Sequence, residues 1–262
     1  MQLKMYQVDA FTDKLFSGNP AAVVILESAI KDSQMQSIAL ENNLSETAFI
    51  NISENPISIR WFTPSDEVDL CGHATLASAT VLFQYFPAIA GTEIIFTSKS
   101  GILKASKDGD YFCLDFPVND PENIAIDVCF SEALGDKPIE MLKGRDDYLA
   151  IFENQSQIQN MQPNFQQLAK LKARGLVISA PGTQVDFVSR CFYPQTGVDE
   201  DPVTGSAHTM LIPYWAKHLD KIEFQAHQLS ARGGALNCKL KNDRVLIAGK
   251  SVVYFEGMIS II

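Results

Sequence analysis

The sequence predicts an α+β protein of two related lobes, mostly antiparallel, and three observations carry that expectation. Two stretches of chain repeat one another in order. Each copy places an extended R-x-F-x-P segment between two helix-like segments. Each copy then ends in a pair of strands.

The repeat is read first, because it sets the architecture. Residues 60–69, RWFTPSDEVD, and 190–199, RCFYPQTGVD, share Arg, Phe, Pro, Val and Asp at an offset of 130. The same offset carries MQSIALE (35–41) onto FQQLAKL (165–171). Both segments space their apolar residues as helices do, and Ser33 with Gln36 has the form of a capping box for the first. Pro64 and Pro194 push the residues before them out of the helical region, and ISIRWF and VDFVSRCF are rich in strand formers. Further on the offset becomes 133: Gly72 falls on Gly205, Gly101 on Gly234, Leu103 on Leu236 and Asp110 on Asp243. Three extra residues therefore sit between Asp199 and Gly205. SKSGILKASKDGDYFCLDF reads as strand, D-G-D turn and strand. The polar, aperiodic PVNDPENIAID (117–127) separates the copies, which puts the lobes at 1–117 and 118–250. The tail, 251–262, belongs to neither copy and is expected to return as a strand to the first lobe.

Composition narrows the function. With 21 basic and 31 acidic residues among 262, the net charge is −10 and the pI about 4.8. Such a surface repels phosphate backbones and anionic lipid, so neither nucleic acid nor membrane is an expected partner. No apolar run reaches membrane-spanning length, and the first residues lack the basic start and apolar core of a signal peptide, so the cytoplasm is the expected location. The five cysteines form no C-x-x-C pair, which fits reduced thiols. None of the four histidines has the H-E-x-x-H spacing, and no metal is expected.

The candidate site follows from the repeat. Gly72-His73 and Gly205-Ser206 each open an apolar helix, where the first N–H groups lack intrahelical partners and the helix dipole favours an anion. Two such ends facing each other across a cleft would hold a carboxylate. Ordinary capping by Asp69, Asp201, Thr204 or Ser206 is the alternative. Glu46, in NNLSETAFI, falls opposite Leu176 at the offset of 130, and a carboxylate present in one copy only is a candidate for chemistry. A solvated or capping glutamate is the plainer reading. His73 falls opposite Ser206, and an imidazole at a helix N-terminus is disfavoured as a cation.

The segments VDAFTDKLFSGNPAAVVIL, NNLSETAFI, IRWFTPSDEVDLCGHATLASA and GVDEDPVTGSAHTMLIPYW together resemble the phenazine-biosynthesis F (PhzF-like) family, whose fold is that of diaminopimelate epimerase. The resemblance covers essentially the full chain. It implies two pseudo-twofold-related lobes, each a twisted sheet wrapped around a central helix, with a cofactor-free site between them. It implies an isomerase of a small carboxylate substrate, and a homodimer. By its motifs Glu46 is the acid/base, His73, Asp201 and Ser206 assist catalysis and position the substrate, Gly72 and Gly205 bind its carboxylate, and Asn19 and Pro20 line the site. Epimerases of this fold use one cysteine per lobe. Here Cys71 is present but Thr204 stands at the matching position, which disfavours a two-thiol racemase and leaves Cys71 as a packing residue. His208 reads as helix packing. A binding protein without turnover, or an interaction protein, is the competing class. The full set of Glu46, His73, Asp201 and Ser206 favours an enzyme.

Overall fold

A computed structural model describes residues 1–261. It shows an α+β protein with a mixed sheet and few helices. The chain divides into two compact units, Met1–Asp115 with the chain from Ala248 on, and Phe116–Ile247. In chain order the first stretch contains β1 (Gln2–Ala10), β2 (Asn19–Leu26), α1 (Asp32–Asn42), β3 (Glu46–Asn51), β4 (Ile57–Phe62) and β5 (Glu67–Val68). Then come α2 (Gly72–Tyr85), the short α3 (Pro87–Ala90), β6 (Glu93–Ser98), β7 (Gly101–Asp108) and β8 (Tyr111–Pro117). β1 pairs with β2, β3 with β4, β4 with β5, β6 with β7 and β7 with β8, all antiparallel. Two pairings are parallel, β2 with β3 and β4 with β6. Those are the joins made through α1 and α2, since a parallel pair needs a crossover long enough to return the chain.

The second unit repeats these pairings. Its elements are β9 (Glu122–Ile124), α4 (Val128–Leu134), β10 (Glu140–Lys143), β11 (Asp147–Ile151), α5 (Gln155–Asn160), α6 (Phe165–Leu168), β12 (Gly175–Pro181) and β13 (Phe187–Tyr193). They continue with β14 (Val198–Asp201), α7 (Gly205–Leu219), β15 (Glu223–Gln228), β16 (Gly234–Lys241) and β17 (Arg244–Gly249). β11 pairs parallel with β12 and β13 with β15, while β12–β13, β13–β14 and β15–β16 are antiparallel. The tail forms β18 (Ser251–Ser260), antiparallel to β1. Among the described residues no helix is long and apolar enough to cross a membrane.

Burial explains why these residues form these elements. β2 is buried on both faces, and its sequence AAVVIL is accordingly continuous rather than alternating. On one face lies α2, buried from His73 through Leu82. A helix surrounded on all sides must be apolar or small throughout. Its polar residues comply by bonding back along the helix: Thr75, Ser78 and Thr80 donate to the carbonyls of Cys71, Ala74 and Leu76. The other face is covered by α1, whose Met35, Ile38 and Ala39 pack on Val24, Leu26, Phe49 and Phe62. In the second unit α7 is buried from Ala207 to Trp215, and α4, α5 and α6 build a separate core with Phe152, Leu176, Ile178 and Phe192.

The repeated R-x-F motif has a repeated structural role. Arg60 makes a two-pronged pair with Glu67 at 2.7 and 2.8 Å, and Arg190 does the same with Glu200 at 2.7 and 2.9 Å. Each guanidinium also lies over the ring two residues on, Phe62 or Phe192, 5.1 Å from its centroid. A planar fork suits both contacts at once. Arg60 then ties in α1 through Asp32, whereas Arg190 ties in α5 through the carbonyls of Ile158 and Met161.

Three local readings need correction. The first helix begins at Asp32 rather than after Ser33, and Gln34, not Gln36, closes its start by accepting the Lys31 N–H. Gln36 instead donates to the Thr63 carbonyl, and so joins helix to strand. The second segment is helical for one turn only, at Phe165–Leu168; Asn164 caps it, and the chain leaves through bends to the Arg174–Asp146 hydrogen bond. Glu46 is not opposite Leu176. Thr47 pairs with Phe62 as Leu176 pairs with Phe192, so Glu46 corresponds to Gly175. The β12–β13 connection is one residue longer than β3–β4, and the extra residue shifts the match.

Glu67 keeps its pair with Lys99 when Arg60 is lost, whereas losing Arg190, only 11% exposed, takes both of these hydrogen bonds from Glu200 and two from the carbonyls of Ile158 and Met161. Replacing Arg190 by Met is expected to destabilise the protein by about 3 kcal/mol in urea unfolding. Arg60→Met is expected to cost clearly less.

Candidate active site

In the first unit the site begins at a tight hairpin end. Gly18 has φ +67, and a side chain there would strike the Ala10 carbonyl at 2.2 Å. The buried Asp9 carboxylate accepts the Phe16 N–H at 2.9 Å and holds the 11–18 loop. The loop delivers Asn19, fully buried, and the half-buried Pro20 to the start of β2. One residue further, Ala21 lies beside Glu46 in the parallel β2–β3 pair. Asn19, Pro20 and Glu46 thus share one end of this sheet.

The same neighbourhood receives the start of α2. Cys71, the residue before the helix, is extended and makes no side-chain cap. Gly72 is half-buried and His73 buried. His73 Nε2 stands 3.3 Å from the Glu46 carboxylate, and Cys71 Sγ 3.5 Å from His73 Nδ1. Burial raises the Glu46 pKa above the ordinary carboxylate value, opposed by hydrogen bonds from Ser45 and Cys71. Its side chain keeps 20% of its surface exposed, so it is shielded yet reachable. Cys71, read from the sequence as packing, touches both chemical groups.

The second unit presents a parallel start to α7 with different side chains. Thr204 precedes the helix and, like Cys71, makes no cap. Its hydroxyl donates to Asp201, and its N–H donates to Gln228, which also donates to the Asp201 carbonyl. Gln228 is fully buried and fixes the D-P-V-T turn. Gly205 is buried and Ser206 half-exposed. Ser206 Oγ accepts from Arg174 at 3.3 Å, and Arg174 is gripped by the buried Asp147. Where the first unit carries Glu46, this one has Gly175: a Cβ there would meet the Tyr193 ring at 2.1 Å. The ring occupies the space and stacks under Arg174 at 5.2 Å.

Within each unit the expected residues sit at one helix start, Glu46 and His73 in the first, Asp201, Gly205 and Ser206 in the second. Sequence reasoning missed Arg174, Asp147, Tyr193 and Gln228. Only Arg174 had a visible signal, a cation two residues before Leu176, the position that falls opposite Glu46 in the sequence. His208 is fully buried with Nδ1 bonded to the Thr204 carbonyl at 2.9 Å, beside Phe187. All five cysteines remain thiols.

Burial lowers the His208 pKa to about 4 from 6.5. The unfolded chain therefore takes up this proton first, and stability present above about pH 6.5 is lost as pH falls toward 4. His208→Gln is expected to remove on the order of 3 kcal/mol of that acid-dependent loss, read from melting curves between pH 7 and 4. Gly175→Ala, which drives a methyl into Tyr193, is expected to cost about 1–3 kcal/mol in unfolding experiments.

The chain has relatives among known proteins. Residues 8–257 match the phenazine biosynthesis-like protein family. An uncharacterized isomerase of Pseudomonas aeruginosa is 48% identical over 99% of both chains. A crystal structure of a PhzF-family phenazine biosynthesis protein from Enterococcus faecalis superposes with TM-score 0.97 at 45% identity, covering 100% of both chains. A hydroxyproline epimerase from Agrobacterium vitis is 8% identical with TM-score 0.65, over 98% of this chain and 92% of that one, and shares the fold alone.

Proposed function

The chain belongs to the phenazine biosynthesis-like family, three of whose members at 47–48% identity are named isomerases, and from that membership we propose a cofactor-independent isomerase that moves a proton within a small carboxylate-bearing substrate. The observation that carries the reading is the Glu46–His73 contact of 3.3 Å at a helix start whose preceding residue supplies no cap.

The chemistry follows from the surroundings. Ionised Glu46 takes a proton from a substrate carbon, and the electron pair left behind delocalises toward the substrate carboxylate. Glu46, now protonated, returns the proton to a different carbon. A carboxyl whose pKa is raised by burial serves in both directions near neutral pH. The N–H groups of Gly72 and His73 offer the growing negative charge fixed donors, with the α2 dipole behind them. His73 steadies the Glu46 carboxylate and presents a polar group to the substrate. Asp201, Gly205 and Ser206, at the α7 start, are assigned to substrate positioning by the family motif; Asn19 and Pro20 are assigned to the wall near Glu46. A homodimer is part of the same proposal and rests on the family resemblance.

A second reading has one specific support. Cys71 hydrogen-bonds to Glu46 and stands where epimerases of this fold carry one of their two cysteines, so a substrate that loses a proton to one face of a stereocentre and regains one on the other would be epimerised rather than isomerised. Thr204, at the position matching Cys71, argues against the symmetric two-thiol version.

Proton NMR in D2O, with a panel of dihydroanthranilate-like dienes and α-amino acids, separates these. The native protein is expected to place deuterium at a new carbon of a diene acid, and Glu46→Gln to slow that by about 10²–10⁴-fold while still binding the acid. Exchange at a single α-carbon with loss of optical activity would establish the epimerase instead. Native-rate exchange by Glu46→Gln would overturn the assignment.

A further inference from the structure

The spacing rules that find metal sites in sequence look along one helix, and here the donors come from three places. Glu46 opens β3, Cys71 precedes α2 in extended conformation, and His73 is the second residue of α2. Each contributes one ligand atom, and the three atoms lie within 4.8 Å of one another. We infer that Glu46, Cys71 and His73 form a binding site for Zn²⁺, and that the ion acts there as an inhibitor.

Three features support it. The first is distance: nitrogen and oxygen ligands about 2.0 Å from a tetrahedral Zn²⁺ stand about 3.3 Å apart, and Glu46 and His73 Nε2 are 3.3 Å apart already. Cys71 Sγ stands 3.5 Å from the other ring nitrogen, Nδ1, and the three ligand atoms lie within 4.8 Å of one another, so drawing the thiolate onto the same ion takes side-chain movement of about an ångström. The second is donor chemistry. A thiolate, an imidazole and a carboxylate suit Zn²⁺ or Co²⁺, and suit Mg²⁺ or Ca²⁺ poorly. The third is preorganisation. Cys71 and His73 are 6% and 5% exposed, so the ligands are already ordered and partly dehydrated. Three protein ligands leave a fourth position for water or a substrate carboxylate.

Binding sends the Cys71 thiol proton to solvent and fills the Glu46 and His73 lone pairs. The inhibitory consequence rests on the proposed function, because a metal-held carboxylate no longer accepts a proton from carbon. The binding itself does not depend on that reading.

Chelator-treated, full-length protein titrated with Co²⁺ alone is expected to give one equivalent of tetrahedral visible bands with a thiolate-to-cobalt charge-transfer band in the near ultraviolet, all displaced by Zn²⁺. Cys71→Ser should abolish the charge-transfer band, although four other cysteines remain. Glu46→Gln should weaken Co²⁺ binding by at least ~10-fold, no less than second-shell changes cost. Circular dichroism checks that both variants are folded, and Cys71→Ala replaces Cys71→Ser should the latter not fold. A charge-transfer band surviving loss of Cys71, or a weak octahedral spectrum without it, would overturn the site. Deuterium exchange measured separately should stop on adding one equivalent of Zn²⁺. Exchange that persists with the tetrahedral spectrum present would overturn the inhibitory role, and Glu46-independent exchange in metal-free protein would overturn the proposed function while leaving the metal site standing.

Discussion

A buried helix must begin somewhere, and its first turn carries N–H groups that no carbonyl of the helix can take. That constraint governs this protein. Both α2 and α7 are enclosed over most of their length, and the residues that precede them, Cys71 and Thr204, make no side-chain cap. Gly72 and Gly205 follow directly, without a Cβ to keep a ligand from the backbone. The substrate carboxylate of the proposed function would answer the electrostatic need that capping leaves open, and Glu46, His73, Asp201 and Ser206 stand at these two ends.

The enclosure of α2 has its own requirements. Small residues let the surrounding strands approach, and the hydroxyls of Thr75, Ser78 and Thr80 would be costly if their bonds did not close within the helix. The Arg60–Glu67 and Arg190–Glu200 pairs then brace each sheet against its outer helices while stacking on an aromatic ring. Cys71, in extended chain, and His73, in the first turn of α2, meet Glu46 at the start of β3. Pairs of this kind specify an arrangement more than they stabilise it.

Two copies of one supersecondary plan make the differences between them informative. At equivalent strand starts the first unit has Glu46 and the second Gly175, and the space released is taken by Tyr193 lying under Arg174. One unit thus carries a shielded carboxyl beside an imidazole, the other a guanidinium beside a serine hydroxyl. The strand pairing accommodates either residue at this position, because Glu46 pairs with Ala21 in the first unit as Gly175 pairs with Asp147 in the second.

The sequence by itself determined much of this. Its repeat and its hairpin and proline signals led to an α+β chain with recurring elements, and its motifs led to Glu46, His73, Asp201 and Ser206. These are local or near-local properties: periodicity, turn chemistry and side-chain type act over a few residues and survive in a linear reading. Tertiary structure decided the rest. It set the one-residue shift that pairs Glu46 with Gly175, ended the 165–171 helix after a turn, brought Cys71 against the glutamate, and recruited Gln228, Asp147 and Tyr193 around α7. Each of those depends on which strand edge meets which helix end, a long-range packing outcome to which residue spacing along the chain is blind.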